Sequence, residues 1–203
     1  MRVAVIVFEG FDELDAIGPL EVLRNAAAMG AADLSVELVA LDGSAEVTGS
    51  HGLRVRTDGQ LDPGRTDLLV IPGGGWNDRG AHGAWAEAKR GDLPVAIAAA
   101  SRAGAVVATV CTGAMLAATA GLTRGRPAIT HQGAVEDLRA SGARVVEARV
   151  VDDGDLVTAG GVTSGIDMAL WLVERHYGAG LAEAVAAEIE HPRHGEVWRG
   201  QGG

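Results

Sequence analysis

The chain has 203 residues, with 27 acidic against 17 basic side chains, one cysteine, 30 glycines, and only two Phe, four Trp and one Tyr. That length suits one domain whose core dispenses with disulfides and with a structural metal, and a lone cysteine has no intramolecular partner. A net charge of −10 without a basic stripe argues against nucleic acid and anionic membrane as partners, since both are bound through clustered Lys and Arg.

In chain order, the apolar run 3–8 reads as a first buried strand. Glu9, Asp12, Glu13 and Asp15 follow it, which is no leader-peptide pattern, so a cytoplasmic protein is expected. Helical spacing over 19–28 places Pro19 at a first helical position, with Asp15 in the loop before it. A strand over 36–41, a small hairpin over 47–57 and a buried strand over 68–71 come next, then a helical stretch over 84–100 broken at Pro94. Residues 103–122 form a 20-residue stretch without a charge. Its three glycines, three threonines and change of composition midway fit a buried strand, 105–110, running into a buried helix, 112–120, better than a membrane span. A short strand closing at Thr130-His131-Gln132, a helix over 134–140, strands over 144–151 and 156–158, and helices over 162–177 and 181–189 complete the pattern. Strand and helix alternate, which predicts an α/β fold, a three-layer α/β/α sandwich on a mostly parallel sheet. One domain is expected over 1–190, followed by a loosely held polar tail over 191–203.

In an open parallel sheet, ligands bind beyond the carboxyl ends of the strands, so the residues after each apolar run carry the information. Val110-Cys111-Thr112-Gly113 lies between a strand and a helix, the layout of a nucleophile elbow with sulfur in place of oxygen. At a helix start, free N–H groups would depress the thiol pKa; the competing reading is an inert core cysteine. Pro72-Gly73-Gly74-Gly75 leaves N–H groups free to meet a ligand, with the Thr112 N–H as the other half of an oxyanion hole, unless the glycines only make a turn. A phosphate loop is the weaker alternative, since no Gly-Lys-Ser/Thr follows. Asp15 beside a thiolate would be held partly protonated, as a proton shuttle needs; otherwise it complements a helix N-terminus. His131 either faces Cys111 or satisfies a hydrogen bond near the core. The pair His191 and His194 lacks further ligands, so no metal site is expected there. The 160–167 glycine-rich run has no lysine after it, so it is read as a helix start rather than a phosphate loop.

Together, Leu14-Asp15-Ala16-Ile17-Gly18-Pro19, Val70-Ile71-Pro72-Gly73-Gly74-Gly75, Val110-Cys111-Thr112-Gly113, Thr130-His131 and the Thr158–Asp167 segment make the chain resemble the ThiJ/PfpI superfamily of flavodoxin-like proteins, over residues 2–190. Asp15 in an L-D-x-x-G-P loop and Thr112 after the cysteine resemble the isonitrile hydratase branch in particular. The protease and glyoxalase-like branches usually carry glutamate in the first loop and often histidine after the cysteine. The resemblance implies Cys111 as nucleophile, Asp15 as general acid and base, and Thr112 and Gly74 as backbone donors, with Gly75 and His131 beside the substrate. It further implies a small-molecule substrate, no cofactor, no metal and a homodimer. Gln132 stands where that branch commonly has Trp, and Trp76 is positioned in sequence to supply aromatic surface instead. The implied reaction is addition of water to R–N≡C to give an N-substituted formamide. A glyoxalase-like conversion of 2-oxoaldehydes and a non-enzymatic cysteine redox sensor are the competing functions.

Overall fold

The structure, a computed structural model, describes residues 1–200. Its strands are β1 (Arg2–Val7), β2 (Ser35–Ala40), β3 (Glu46–Thr48), β4 (Arg54–Arg56), β5 (Gly59–Gln60), β6 (Leu68–Ile71), β7 (Val106–Val110), β8 (Pro127–Ala128), β9 (Arg144–Val145), β10 (Val150–Asp152), β11 (Leu156–Ala159) and β12 (Val197–Arg199). The helices are α1 (Glu13–Met29), α2 (Ala84–Arg90), α3 (Asp92–Arg102), α4 (Gly113–Thr119), α5 (Val135–Ala140), α6 (Ser164–Tyr177) and α7 (Ala179–Glu188).

The main sheet runs β12-β10-β11-β7-β6-β1-β2-β5. Its five central strands, β2, β1, β6, β7 and β11, are parallel and take the flavodoxin-like order second, first, third, fourth, fifth. Every residue of β6 and β11, and all but the first of β1 and β7, is buried, as expected of strands covered on both faces. The order in which the chain adds strands reverses at β1, with β2 on one side and β6 on the other, all three parallel. The crevice opened there lies at the carboxyl ends of β1 and β6, where Asp12, Asp15 and the glycine loop are found.

Several boundaries differ from the sequence expectation. Helix α1 begins six residues before Pro19, because Asp12 accepts from the Leu14 N–H at 3.2 Å as its N-cap. Pro19 therefore lies inside the helix, and Asp15 sits in the first helical turn rather than in a loop. The 84–100 helix breaks at Gly91, which has φ +86°, rather than at Pro94; Pro94 falls in the first turn of α3, where its missing N–H costs little. The 144–151 strand is two strands in different sheets, since β9 pairs with β8 and β10 lies antiparallel to β11. The segment read as a loose tail adds β12, which pairs parallel with β10. His191 Nε2 and the His194 N–H also bind Asp167 Oδ1, each at 3.0 Å. Residues 201–203 of that segment lie outside the described residues. Among the described residues, no helix is long and apolar enough to cross a membrane.

The β3–β4 hairpin is fastened over the entrance of α1. Glu13 accepts from the His51 N–H and binds His51 Nδ1, both at 2.6 Å. Burial pushes the Glu13 carboxyl up, but its hydrogen bonds with His51 and the Leu53 N–H outweigh that and hold it below the usual range.

Candidate active site

Four chain segments converge at the carboxyl edge of the sheet. The first is the 8–15 segment, drawn in by the Asp12 N–H donating to the Gly73 carbonyl at 2.9 Å. The second is the 72–75 loop after β6. Gly73 lies so close to the backbone N–H groups of Thr112 and Gly113 that a side chain there would collide with them, and a Cβ on Gly74, whose φ is +106°, would meet the Asp12 nitrogen at 2.5 Å. These glycines are required by close backbone approach, whatever else they do.

The third segment is the turn from β7 into α4. Cys111 has φ +56°, the left-handed region that a non-glycine residue enters at a cost of about 1–2 kcal/mol. Its backbone is held there from both sides. The Cys111 N–H donates to the carbonyls of Ala159 at 3.2 Å and Gly160 at 2.8 Å, and its own carbonyl accepts from Thr130 Oγ1 at 2.9 Å. This is the strained strand-to-helix geometry of a nucleophile elbow. The fourth segment, 160–163 after β11, brings the Val162 N–H to act on the sulfur along with the Thr112 N–H; both favour the thiolate.

Asp15 is fully buried. One carboxyl oxygen accepts from the Gly73 N–H at 2.9 Å, and the other, Oδ1, is buried without a hydrogen-bond partner among the described residues. Burial, followed by the negative charge of Asp12, pushes its pKa from 3.8 to about 7, against the opposing pull of the Gly73 N–H and the Cys111 thiol. Cys111, 6% exposed, is pushed up to about 12 by burial and then by the Asp15 charge, which outweigh the Thr112 and Val162 N–H groups. The expectation of a depressed thiol pKa is therefore corrected. Helix α4 has only seven residues, and desolvation beside a carboxylate dominates over its N-terminus. The Asp15 charge raises the thiol while the thiol's hydrogen bond lowers the carboxyl, so the two titrate as a coupled pair that retains one proton between about pH 7 and about pH 12.

The remaining expected residues separate into two groups. The Gly74 N–H is already engaged, donating to Thr112 Oγ1 at 2.9 Å, so Val162 rather than Gly74 stands with Thr112 at the sulfur. Gly75, with φ +63°, packs on the His82 carbonyl and Gly83 as a turn residue of the loop. No hydrogen bond joins His131 to Cys111 among the described residues. Instead His131 Nδ1 accepts from the Gly133 N–H at 3.1 Å, and the ring lies against Gly161. Trp76 does not supply an open aromatic wall: it is buried, its indole N–H donates to Asp137 at 2.7 Å, and its ring meets Trp85 edge-on. Sequence alone assigned Val162 and Thr130 no individual role, although Thr130 belongs to the Thr130-His131 motif. The signal for Val162 was Gly160-Gly161 directly after a buried strand adjacent to the elbow strand. Among the described residues, no group of three or more His, Cys, Asp or Glu side chains is placed to hold a metal ion.

A family model described as DJ-1/PfpI matches residues 1–175. Isonitrile hydratase from Pseudomonas putida is 33% identical over 192 residues, covering 94% of this chain and 78% of that protein. A deglycase from Thermococcus kodakarensis is 28% identical over 163 residues, covering 78% of this chain and 89% of that protein. Among solved structures, a ThiJ/PfpI family protein from Pseudomonas syringae superposes with a TM-score of 0.79 at 27% identity, over 93% of this chain and 74% of that one.

Proposed function

The chain belongs to the DJ-1/PfpI family, and within it we propose an isonitrile hydratase-like enzyme that works through Cys111 and Asp15 alone, without metal or organic cofactor. The observation that carries this reading is the buried pair: the Cys111 thiol on its left-handed turn and the fully buried Asp15 carboxyl beside it, with the Thr112 and Val162 N–H groups acting on the sulfur. Hydrating an isonitrile needs a nucleophile and one group that both gives and takes a proton.

The reaction proceeds in two stages. Asp15 takes the thiol proton as the Cys111 sulfur bonds to the terminal carbon of R–N≡C, while the Thr112 and Val162 N–H groups stabilise the emerging thiolate. Asp15 then returns that proton to the same carbon, giving the thioimidate R–N=CH–S–Cys111. In the second stage Asp15, again a carboxylate, removes a proton from water as the hydroxyl adds to the thioimidate carbon, and the proton passes to nitrogen. Collapse of the adduct breaks the carbon–sulfur bond, the hydroxyl proton returns through Asp15 to sulfur, and R–NH–CHO leaves. Atoms and charge balance over the cycle, and the resting pair is restored. Converting a 2-oxoaldehyde additionally requires moving a proton between adjacent carbons, for which the short Asp15 chain and a His131 engaged with Gly133 are poorly suited.

The test is incubation of the protein, separately, with an aryl or alkyl isonitrile and with methylglyoxal. Formamide from the isonitrile, abolished in Cys111→Ala, is expected. Lactate from methylglyoxal without formamide would replace this reading with the glyoxalase-like one. Inertness toward both, with Cys111 readily oxidised by dilute peroxide, would replace it with a redox sensor.

A further inference from the structure

A cleft of about 380 Å³ opens at Val162, and no role has yet been given to it. His131, Gln132, Arg149, Val162, Thr163 and Ser164 line it together with Gly161. In a chain with 27 acidic residues, none of these is acidic. The nearest carboxylate, Asp167, is turned to other work, bound by Arg149 Nε at 2.5 Å, His191 Nε2 at 3.0 Å and the His194 N–H at 3.0 Å.

What remains on the cleft wall is rich in donors. Arg149 carries a fixed positive charge, and its Nη2 reaches Thr163 Oγ1 at 3.0 Å, which fixes the guanidinium at the rim. His131 Nδ1 is occupied as an acceptor, which in the neutral ring leaves the proton on Nε2. Ser164 is only 3% exposed yet lines the cleft, and its hydroxyl has no hydrogen-bond partner among the described residues. The 14-residue helix α6 starts at this point, with no side chain capping its N-terminus. A hydroxyl without a protein partner on a buried residue of the cleft wall, a guanidinium and an uncapped helix start are matched by an acceptor-only anion, and a carboxylate is a small group of that kind found on organic substrates.

Val162 joins the two regions, because its N–H serves the Cys111 sulfur while the residue itself lines the cleft. We propose that this cleft is the distal subsite of the Cys111 site and takes the carboxylate of an anionic substrate; resting on the isonitrile reading, the substrate class is a carboxylate-bearing isonitrile. The reacting carbon meets the sulfur, the chain of the substrate passes Val162, and the carboxylate ends among Arg149, Thr163 and Ser164. The field of the protein as a whole opposes this, since the chain is net acidic and Asp15 adjoins the sulfur. A preference for an anion at Cys111 therefore requires local donors.

The experiment needs no isonitrile. Rates of Cys111 alkylation by 4-(iodoacetamido)butanoate, whose carboxylate is separated from the reacting carbon by a short chain, and by neutral iodoacetamide are measured by mass spectrometry on the native protein, and their ratio is compared with that of the neutral free thiol N-acetylcysteinamide. The protein's ratio is expected to exceed the reference about tenfold, as one added charge-assisted hydrogen bond gives. It should fall toward the reference in Arg149→Met, with the iodoacetamide rate retained. Because Arg149 also binds Asp167, Thr163→Val serves as a second variant with the same expected direction. Labelling by iodoacetamide with a ratio at or below the reference overturns the subsite and leaves the proposed function standing. No labelling by either reagent overturns the nucleophile itself, and the subsite with it.

Discussion

Asp15 is the residue on which both chemistry and stability turn. Its pKa in the fold, about 7, lies above the ordinary 3.8, so the folded chain binds that proton more tightly than the unfolded one. Its contribution favours folding fully below 3.8 and is lost as pH rises through about 7, where burial of the ionised carboxylate opposes the fold. Asp15→Asn removes the titration while retaining an oxygen that can accept from Gly73. At about pH 8 this variant is expected to be more stable than the parent by on the order of 2 kcal/mol, and the gain should vanish near pH 4. Thermal melting of the two proteins at both pH values checks this; equal melting at about pH 8 would mean the carboxylate is solvated after all. Cys111 departs from the ordinary in a second way, through its left-handed backbone, which the hydrogen bonds to Ala159, Gly160 and Thr130 hold in place. Strain kept at one functional residue by bonds from two other segments is the pattern expected of a site whose geometry matters more than its local stability.

At the scale of elements, α1 both carries Asp15 and presents an apolar corner to solvent. Leu14 is 41% exposed and Leu53 48% exposed, and the contact of Glu13 with the Leu53 N–H draws the hairpin to the helix start. Ile17 and Leu20 line a shallow groove on the same helix. Burying what remains exposed of Leu14 and Leu53 gains on the order of 1 kcal/mol each, and a twofold pairing would bury each of them twice. The expected outcome is a homodimer: light scattering should give twice the mass of one chain, and Leu53→Glu should shift it to the mass of one chain. A parent protein that scatters as a single chain at micromolar concentration contradicts the pairing. The same elements show what the sequence made legible. Buried strands were readable because β1, β6, β7 and β11 are short, almost wholly apolar runs, and the elbow because a cysteine sits between such a run and a glycine. The start of α1 was not readable, since Pro19 is a stronger local signal than the Asp12 cap that overrides it. Strand β12 was hidden for a different reason: three residues at a sheet edge, half-exposed and next to glycines, carry no periodicity, and only pairing with β10 makes them a strand. Val162 was not legible because its part in the site is played by its backbone N–H, which leaves no mark on the residue type.

For the molecule as a whole, the flavodoxin-like sheet gathers at one edge groups that are far apart in sequence: Asp15 after β1, the glycine loop after β6, Cys111 after β7 and Val162 after β11. None is reactive by itself. The thiol is pushed up to about 12 and the carboxyl to about 7, and only as a pair do they hold the one proton that isonitrile hydration must move. Below about pH 7 the carboxyl gains a second proton for the pair, leaving no base for the thiol, so turnover should rise with pH through that value and then level off. The most direct test is formamide production by the parent and by Asp15→Asn, measured as kcat/KM against pH. The parent should show the rise near pH 7, and Asp15→Asn should lose at least about a hundredfold together with the inflection. An Asp15→Asn protein as active as the parent, with the same pH profile, would contradict the account.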